Sequence, residues 1–343
     1  MQIQQNTSLL SYNTFGIEVK AQYFASFNSI EQLESLLDAK NAREKQSTIL
    51  PLVILGGGSN LLFTKDVEGF ILKNELKGIE LIGENAEFNF VKAAAGEEWH
   101  QFVTYCIEHN YSGVENLSLI PGNVGASPMQ NIGAYGVEIK DVFQELEAYH
   151  ILERKIYKFT NAECQFGYRE SIFKQALKGQ FIILNVTFKL RKNPVFNTNY
   201  GAINTELERM GVKELTIKDI SQAVINIRTS KLPDPKVIGN AGSFFKNPQV
   251  SKFRWHVIQE EYPNVVAYKV DDMHYKLAAG WLIEQCGWKG YRKGYAGCHH
   301  QQALVLVNYG QAKGAEILEL AEEIILSVEE KFGVKLEREV NII

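Results

Sequence analysis

Residues 49–60 read Ile-Leu-Pro-Leu-Val-Ile-Leu-Gly-Gly-Gly-Ser-Asn, an apolar run that ends in three glycines. Branched apolar residues bounded by glycine are typical of a strand buried on both faces, so we expect such a strand over 49–55. Glycines directly after a strand let several backbone N–H groups face one anion, because no Cβ blocks the approach. The run therefore predicts a phosphate-binding loop, and a plain strand-to-helix turn is the alternative. Its residues are Gly56, Gly57, Gly58, Ser59 and Asn60.

A second loop of the same character spans residues 121–136. It combines glycines with small polar side chains, and long loops without regular structure are uncommon and usually functional. A surface loop without a ligand is the alternative. Two such loops together predict a binding site for a pyrophosphate group. The sequence has neither a G-x-G-x-x-G after a strand nor a G-x-x-x-x-G-K-[ST], which argues against an ordinary Rossmann dinucleotide site and against a P-loop.

The segments around these loops predict a mixed α/β pattern. Ser29, with Gln32 three residues later, resembles a capping box and predicts a helix over about 30–40. Apolar patterns predict strands at 70–73, 87–95 and 181–190 and a helix at 98–109.

The last third of the chain begins with a change in local composition. Prolines and glycines crowd residues 229–242, so we expect a domain boundary close to residue 230. Helical spacing of apolar residues over 317–328 predicts a helix that Gly333 ends as a C-cap. Alternation over 334–341 then predicts a half-buried strand in which Glu339 points away from the side of Val340.

Composition and charge exclude several classes of protein. The 343 residues are 45% hydrophobic and 22% charged, which is near the average for globular domains and predicts about two to three of them. The formal net charge is -4, and Lys and Arg are scattered along the sequence, so no basic patch indicates nucleic-acid binding. We found no secretory signal and no continuous apolar helix, so we expect a cytoplasmic protein that does not contact a membrane. The four cysteines lack Cys-x-x-Cys spacing and are expected to be reduced.

Five strings carry a resemblance to a known family. They are Gly-Gly-Gly-Ser-Asn at 56–60, Ile-Pro-Gly-Asn-Val-Gly-Ala-Ser-Pro at 120–128, Gln-Asn-Ile-Gly-Ala-Tyr-Gly at 130–136, Gly-Tyr-Arg-Glu-Ser at 167–171 and Gly-Asn-Ala-Gly-Ser-Phe-Phe-Lys-Asn-Pro at 239–248. In this order, and nearly from end to end, the chain resembles the UDP-N-acetylenolpyruvoylglucosamine reductase family.

The resemblance implies an α+β protein with a vanillyl-alcohol-oxidase-type FAD-binding fold. Two α/β subdomains are expected at 1–65 and 66–229, with FAD phosphates on the two glycine loops and with strand 334–343 returning to the first subdomain. A third, α+β domain at 230–333 would close over the sugar nucleotide. The family has two types, and Asn199-Tyr200-Gly201 resembles the tyrosine-bearing loop of the longer one.

The implied reaction belongs to peptidoglycan precursor synthesis. NADPH would reduce noncovalently bound FAD, and hydride would then pass to the enolpyruvyl methylene carbon of UDP-N-acetylglucosamine enolpyruvate, giving UDP-N-acetylmuramate. Arg169 matches the arginine that steadies the resulting negative charge, Ser243 the general acid and Glu339 the third catalytic residue. From pattern alone, a surface ion pair, a turn serine and a solvated strand position are the alternatives.

The resemblance also implies the ligand contacts. Those to FAD fall on Gly56, Gly57, Gly58, Ser59, Asn60, Pro121, Gly122, Gly125, Ala126, Gln130, Asn131, Gly133, Ala134, Tyr135 and Gly136. Those to substrate fall on Tyr200, Lys231, Asn247 and Gln302. The sequence departs from the family at Asn341, where an arginine is common, so the substrate contact of that arginine is not expected here.

Two other functions remain open. An alcohol oxidase of the same fold would need a base rather than an acid, so the three matched residues argue against it. A nucleotide-sugar binder without activity is the second. We expect a monomer that acts on a small molecule and holds no metal, because His299 and His300 would face opposite ways on a strand.

Overall fold

A computed structural model of the chain describes residues 2–44, 49–200 and 202–343. Its helices are α1 (Ile30–Glu44), α2 (Trp99–Glu108), α3 (Ile203–Met210), α4 (Ile217–Lys231), α5 (Lys252–Glu261), α6 (Ala279–Gln285) and α7 (Gly314–Phe332). Its strands are β1 (Gln4–Ser8), β2 (Lys20–Phe27), β3 (Leu52–Leu55), β4 (Leu61–Leu62), β5 (Val67–Asn74), β6 (Ile79–Glu84), β7 (Phe88–Ala94), β8 (Gly133–Ala134), β9 (Val137–Glu138), β10 (Phe143–His150), β11 (Lys155–Thr160), β12 (Phe181–Arg191), β13 (Gly239–Ser243), β14 (Gln249–Ser251), β15 (Ala267–Lys269), β16 (His274–Leu277), β17 (Arg292–Lys293), β18 (Ala296–Cys298), β19 (Val305–Asn308) and β20 (Asn341–Ile342).

The chain divides into two compact units. The first consists of Met1–Thr7, Ala21–Gly57 and Glu68–Ser230, and the second of Ser8–Lys20, Gly58–Val67 and Lys231–Ile343. The predicted first subdomain, residues 1–65, is divided between the two units, and the three predicted domains stay a prediction.

The first unit contains two main sheets. One has the strand order β1-β2-β5-β3, with β3 and β5 parallel, and the other is antiparallel with the order β11-β10-β12-β7-β6. Helix α1 buries Leu33, Leu36 and Leu37 in a core with Phe70 and Leu72 of β5. Helix α2 packs into the second core, while α3 and α4 form a third apolar cluster of their own.

The second unit is built around an antiparallel sheet of order β13-β19-β18-β17 and a smaller one of order β14-β16-β15. Helix α7 has one buried apolar face and ends at Gly333, whose φ of +56° is the left-handed conformation of a C-cap. Strand β20 pairs in parallel with β4 and so returns the C-terminus to residues 61–62.

Most predicted elements are confirmed, since α1, α2, α7, β5, β7 and β12 lie where the patterns placed them. The prediction of a strand buried on both faces over 49–55 was wrong. Strand β3 begins only at Leu52 and buries only Leu55 fully, and Ile49, which precedes it, is 86% exposed. Among the described strands, β3 lies at the edge of its sheet. The predicted strand over 334–341 is regular only at β20, although the alternating burial is present from Val334 to Glu337.

Candidate active site

The structure places predicted site residues in both units. In the first lie Gly56, Gly57, Pro121, Gly122, Gly125, Ala126, Gln130, Asn131, Gly133, Ala134, Tyr135, Gly136, Arg169 and Tyr200. In the second lie Gly58, Ser59, Asn60, Lys231, Ser243, Asn247, Gln302 and Glu339.

The two glycine loops meet inside the first unit. A Cβ added to Gly57 would lie 2.7 Å from Oδ1 of Asn123 and 2.9 Å from Cα of Gly122, distances at which something must shift. Asn123 is itself held by a 2.7 Å hydrogen bond from Nδ2 to the carbonyl oxygen of Gly96. The backbone of Gly57 therefore lies directly against the backbone of Gly122 and the side chain of Asn123. The alternative of a strand-to-helix turn at 56–60 is wrong, because the next element is strand β4.

Arg169 rests on the second glycine loop. Its Nη2 donates a hydrogen bond of 2.6 Å to the carbonyl oxygen of Gly133. A Cβ at Gly133 would lie 3.1 Å from Nη1 of Arg169 and 2.8 Å from Cγ of Glu138, so a side chain there would displace the guanidinium. Arg169 has φ +56°, a conformation that is uncommon outside glycine and gathers at functional sites.

Asn131 connects the second glycine loop to the segment that carries Arg169. It is fully buried, and its Nδ2 donates to the carbonyl oxygen of Gly167 at 2.9 Å and to Oε2 of Glu138 at 3.2 Å. Its Oδ1 accepts from the backbone N–H of Lys140 at 3.0 Å. The side chain thus serves the loops themselves, so we assign it to positioning the segment that carries Arg169.

The segment before Tyr200 is also attached to the second loop. Asn197 donates from Nδ2 to the carbonyl oxygen of Gly136 at 2.9 Å, and the rings of Tyr135 and Tyr200 meet edge to face at 6.3 Å. Burial raises the pKa of the Tyr135 phenol, which therefore stays protonated at neutral pH. Gly201, the third residue of the predicted tyrosine-bearing loop, lies outside the described residues.

In the second unit, Ser243 and Glu339 belong to neighbouring segments. The backbone N–H of Glu339 donates to the carbonyl oxygen of Phe244, the residue after Ser243, at 2.8 Å. Ser243 is the last residue of strand β13, and it pairs with Val305 of β19. The pairing of β13 is irregular between Asn240 and Ser243, and there Oδ1 of buried Asn240 accepts from the backbone N–H of Gly242 at 2.9 Å.

Asn341, the departure from the family pattern, contacts the first glycine loop. Its backbone N–H and its Nδ2 both donate to the carbonyl oxygen of Asn60, at 3.1 and 2.9 Å. Nδ2 of Asn60 in turn lies 3.4 Å from the carbonyl oxygen of Glu339. Asn60 is therefore linked to the segment that carries Glu339 and Asn341.

The three other predicted substrate contacts differ in environment. Asn247 accepts a hydrogen bond of 2.9 Å from the backbone N–H of Ala279 at the start of α6. Gln302 is half-buried and lies against Gly280, while Lys231 is exposed at the end of α4.

Sequence reasoning did not find Arg228 and His100 in the first unit. Arg228 lies on α4, and its Nε is buried without a hydrogen-bond acceptor. His100 accepts at Nδ1 a hydrogen bond of 3.0 Å from the backbone N–H of Leu119. Neither residue belongs to a recognisable motif. An arginine on an amphipathic helix is usually exposed to solvent, so nothing in the sequence singled out Arg228. Only the neighbours that the fold supplies distinguish this arginine.

The histidine pair and the cysteines have structural explanations. His299 and His300 follow β18 instead of lying on a strand, and their rings are 4.4 Å apart, so the reason given against a shared metal was wrong. No cluster of three metal-binding side chains is present in residues 2–44, 49–200 and 202–343. The four cysteines are unpaired, as predicted, and burial raises the pKa of Cys164 and of Cys298 to about 12.

Comparison with known proteins agrees with this arrangement. Residues 21–150 match the model of an FAD binding domain, and residues 234–343 match the UDP-N-acetylenolpyruvoylglucosamine reductase C-terminal domain. A UDP-N-acetylenolpyruvoylglucosamine reductase of Flavobacterium johnsoniae is 53% identical over 344 residues, 100% of both chains. The chain belongs to the UDP-N-acetylenolpyruvoylglucosamine reductase family. The relative from Amoebophilus asiaticus is 50% identical, again over 100% of both chains.

A solved structure supports the fold of this family member. The UDP-N-acetylenolpyruvylglucosamine reductase of Thermus caldophilus superposes with a TM-score of 0.67 at 24% identity, covering 100% of this chain and 99% of that one. The α+β class and the presence of an FAD-binding domain are thereby confirmed, and the chain is an oxidoreductase of this family. Among the helices of the described residues, none has both the length and the apolar character needed to cross a bilayer.

FAD fits the residues of this family member on structural grounds. Gly57 and Gly122 bring two stretches of backbone close together, and neither residue has a side chain of its own that would obstruct a phosphate. Such backbone approach is the feature by which glycine loops bind phosphates. Gly125 is equally constrained, since a Cβ there would lie 2.5 Å from Cβ of Ala95.

Proposed function

We propose that the chain reduces UDP-N-acetylglucosamine enolpyruvate to UDP-N-acetylmuramate for peptidoglycan, with NADPH as the reductant. Curated relatives that match the whole chain carry the name of this reductase, which supports the substrate. FAD, when bound, supplies the hydride transfer that links the two reactants. We assign its phosphates to the glycine loops at 56–60 and 121–136.

We assign to Arg169 the stabilisation of negative charge on the substrate. Hydride addition to the methylene carbon leaves carbanion character on the carbon beside the carboxylate, which a guanidinium stabilises by two charge-assisted hydrogen bonds. The 2.6 Å bond to Gly133 and the fixed left-handed backbone hold the guanidinium in place before the substrate binds. A preorganised donor of this kind contributes about 3 to 4 kcal/mol to transition-state stabilisation.

We assign the proton donation to the Oγ of Ser243. A serine hydroxyl is a weak acid in water, but an enolate is basic enough to take its proton. Glu339 supports this step from the neighbouring segment. The observation that carries the proposal is the 2.8 Å hydrogen bond between the backbones of Glu339 and Phe244, because it brings the segments that carry two proton-bearing groups together in one unit.

The test is a spectroscopic titration of the purified protein. It is expected to be yellow, to bleach when NADPH is added without oxygen, and to regain its colour when the enolpyruvyl sugar nucleotide is added. A colourless protein that takes up no FAD would favour the binder without activity. Rapid return of the colour with oxygen alone, and none with the sugar nucleotide, would favour the oxidase.

A further inference from the structure

The turn at Tyr135 and Gly136 in the second glycine loop is held by two asparagines from outside the loop. Asn116 donates from Nδ2 to the carbonyl oxygen of Tyr135 at 2.9 Å, and Asn197 donates from Nδ2 to that of Gly136, also at 2.9 Å. Both turn residues have positive φ, +49° for Tyr135 and +82° for Gly136. A tyrosine rarely adopts this conformation, which persists only where the surroundings hold it. Two successive carbonyl groups of a strained turn are thus fixed.

Asn116 also connects this turn to the segment that leads to Tyr200. Its Nδ2 donates a second hydrogen bond, of 2.8 Å, to the carbonyl oxygen of Asn197. A side-chain amide has two N–H donors, so Asn116 uses one on the glycine loop and one on residue 197. Asn116 is buried, and the loss of either acceptor would leave a buried donor unsatisfied. Asn116 therefore fixes the distance between the glycine loop and Asn197.

Asn197 is held at two points, through its own carbonyl oxygen and through its side chain. The side chain also fills the space beside Gly136. A Cβ added there would lie 3.0 Å from Nδ2 and 3.1 Å from Oδ1 of Asn197, closer than a Cβ ordinarily approaches. One hydrogen bond would let the segment pivot, whereas two bonds to different groups fix its orientation. Tyr200 follows three residues later, and its ring meets that of Tyr135 edge to face at 6.3 Å.

We propose that Asn197 is a positioning residue, which holds Tyr200 where it contacts the sugar nucleotide. Val195, Phe196 and Tyr200 are all exposed, so the segment on either side of Asn197 has little buried apolar surface that would fix it. The hydrogen bonds of Asn197 take that role. A side chain that is ordered before the ligand arrives loses less conformational freedom on binding. This inference rests on the proposed function, in which Tyr200 contacts the substrate.

The experiment compares full-length, FAD-loaded Asn197→Ala and Asn197→Asp with the control Asn193→Ala. Asn193 is an exposed asparagine of the same segment, and its side chain makes no hydrogen bond to the other described residues. KM and kcat are measured for the enolpyruvyl sugar nucleotide, and the dissociation constant of FAD is measured with the cofactor-free proteins. The control is expected to keep all three wild-type values.

Asn197→Ala is expected to raise KM for the sugar nucleotide about fivefold, the size expected of one lost hydrogen bond, with kcat within about twofold of wild type. The loss falls on KM because Tyr200 would contact the substrate and the transition state alike. Asn197→Asp keeps the size of the side chain, but a carboxylate cannot donate to the carbonyl oxygen of Gly136, so KM is expected to rise as much. FAD is expected to stay bound, because Asn116 still holds Tyr135.

A double-mutant cycle with Tyr200→Ala tests whether Asn197 acts through Tyr200. If it does, Tyr200→Ala alone raises KM, and adding Asn197→Ala raises KM no further. Full additivity of the two substitutions would overturn the proposal. So would a wild-type KM in Asn197→Ala, in Asn197→Asp or in Tyr200→Ala, or an equal rise of KM in Asn193→Ala.

The two proposals fail separately. If the wild-type protein does not turn over the enolpyruvyl sugar nucleotide, the proposed function fails whatever the Asn197 variants do. If the wild-type protein turns over and the Asn197 variants keep its KM, only the positioning role fails.

Discussion

The guanidinium of Arg169 is fixed by the main chain of Gly133, through a 2.6 Å hydrogen bond from Nη2 to the carbonyl oxygen. The residue that carries the proposed charge stabilisation is thus oriented by one of the glycines assigned to the cofactor. If FAD binds this loop as proposed, the peptide group of Gly133 would couple its binding to the alignment of Arg169.

Gly133→Ala is expected to lower kcat about 10-fold to 10²-fold and to leave FAD bound. The added Cβ would lie 3.1 Å from Nη1 of Arg169, and a small displacement of a catalytic group has effects of this size. Steady-state kinetics and the flavin absorbance of the purified protein measure the two quantities. Gly83→Ala is the control, because no atom lies within 4 Å of its added Cβ. A variant with normal kcat would separate Arg169 from Gly133.

Gly57→Ala is expected to raise the dissociation constant of FAD about tenfold or more, which corresponds to about 1.4 kcal/mol. The new methyl group would collide with Cα of Gly122 and push the two glycine loops apart. Fluorescence titration of the cofactor-free protein measures the constant. Gly83→Ala again serves as the control, and an unchanged constant would argue that the phosphates bind elsewhere.

Ser243→Ala is expected to reduce turnover of the enolpyruvyl sugar by about 10² to 10⁴, the usual contribution of a positioned acid. Reduction of the flavin by NADPH is expected to proceed at the wild-type rate, because it needs no proton from this hydroxyl. Stopped-flow absorbance separates the two half-reactions. Ser251→Ala is the control in the same unit: it removes the N-cap of α5 and about 1 kcal/mol of stability, but no catalytic group. Turnover unchanged in Ser243→Ala would remove Ser243 from its role.

The lowered pKa of Glu206 predicts how the stability of the protein depends on pH. Its carboxylate accepts from Arg209 and from Asn226, which joins α3 to α4, and the hydrogen bond from Arg209 is the main reason its pKa falls to about 2. The unfolded-state pKa is about 4.3, so the stabilisation is complete above that pH and is lost as the pH falls towards 2. Glu206→Gln is therefore expected to lower the melting temperature at pH 7, with a difference that shrinks below pH 4. Exposed Glu208→Gln is expected to show no such trend.

Local sequence was enough for the elements that have strong periodicity. The helical spacing before Gly333 and the glycines at 56–58 each specify a conformation through the residue types themselves. The same holds for the resemblance to the family, which depends on strings of adjacent residues. The edge position of β3 could not be predicted this way, because it depends on which strands pair in the sheet.

The sequence by itself determined the α+β class, the two glycine loops and the identity of the residues matched to catalysis. Only the tertiary structure decided that Gly57 lies against Gly122, that Asn131 bonds to the loops from within, and that Nε of Arg228 is buried with no hydrogen-bond acceptor among the described residues. The physical reason is that periodicity and residue type act over a few neighbouring positions. A buried group without a partner or a contact between two loops is instead a property of residues that are distant in the sequence and that the fold brings together.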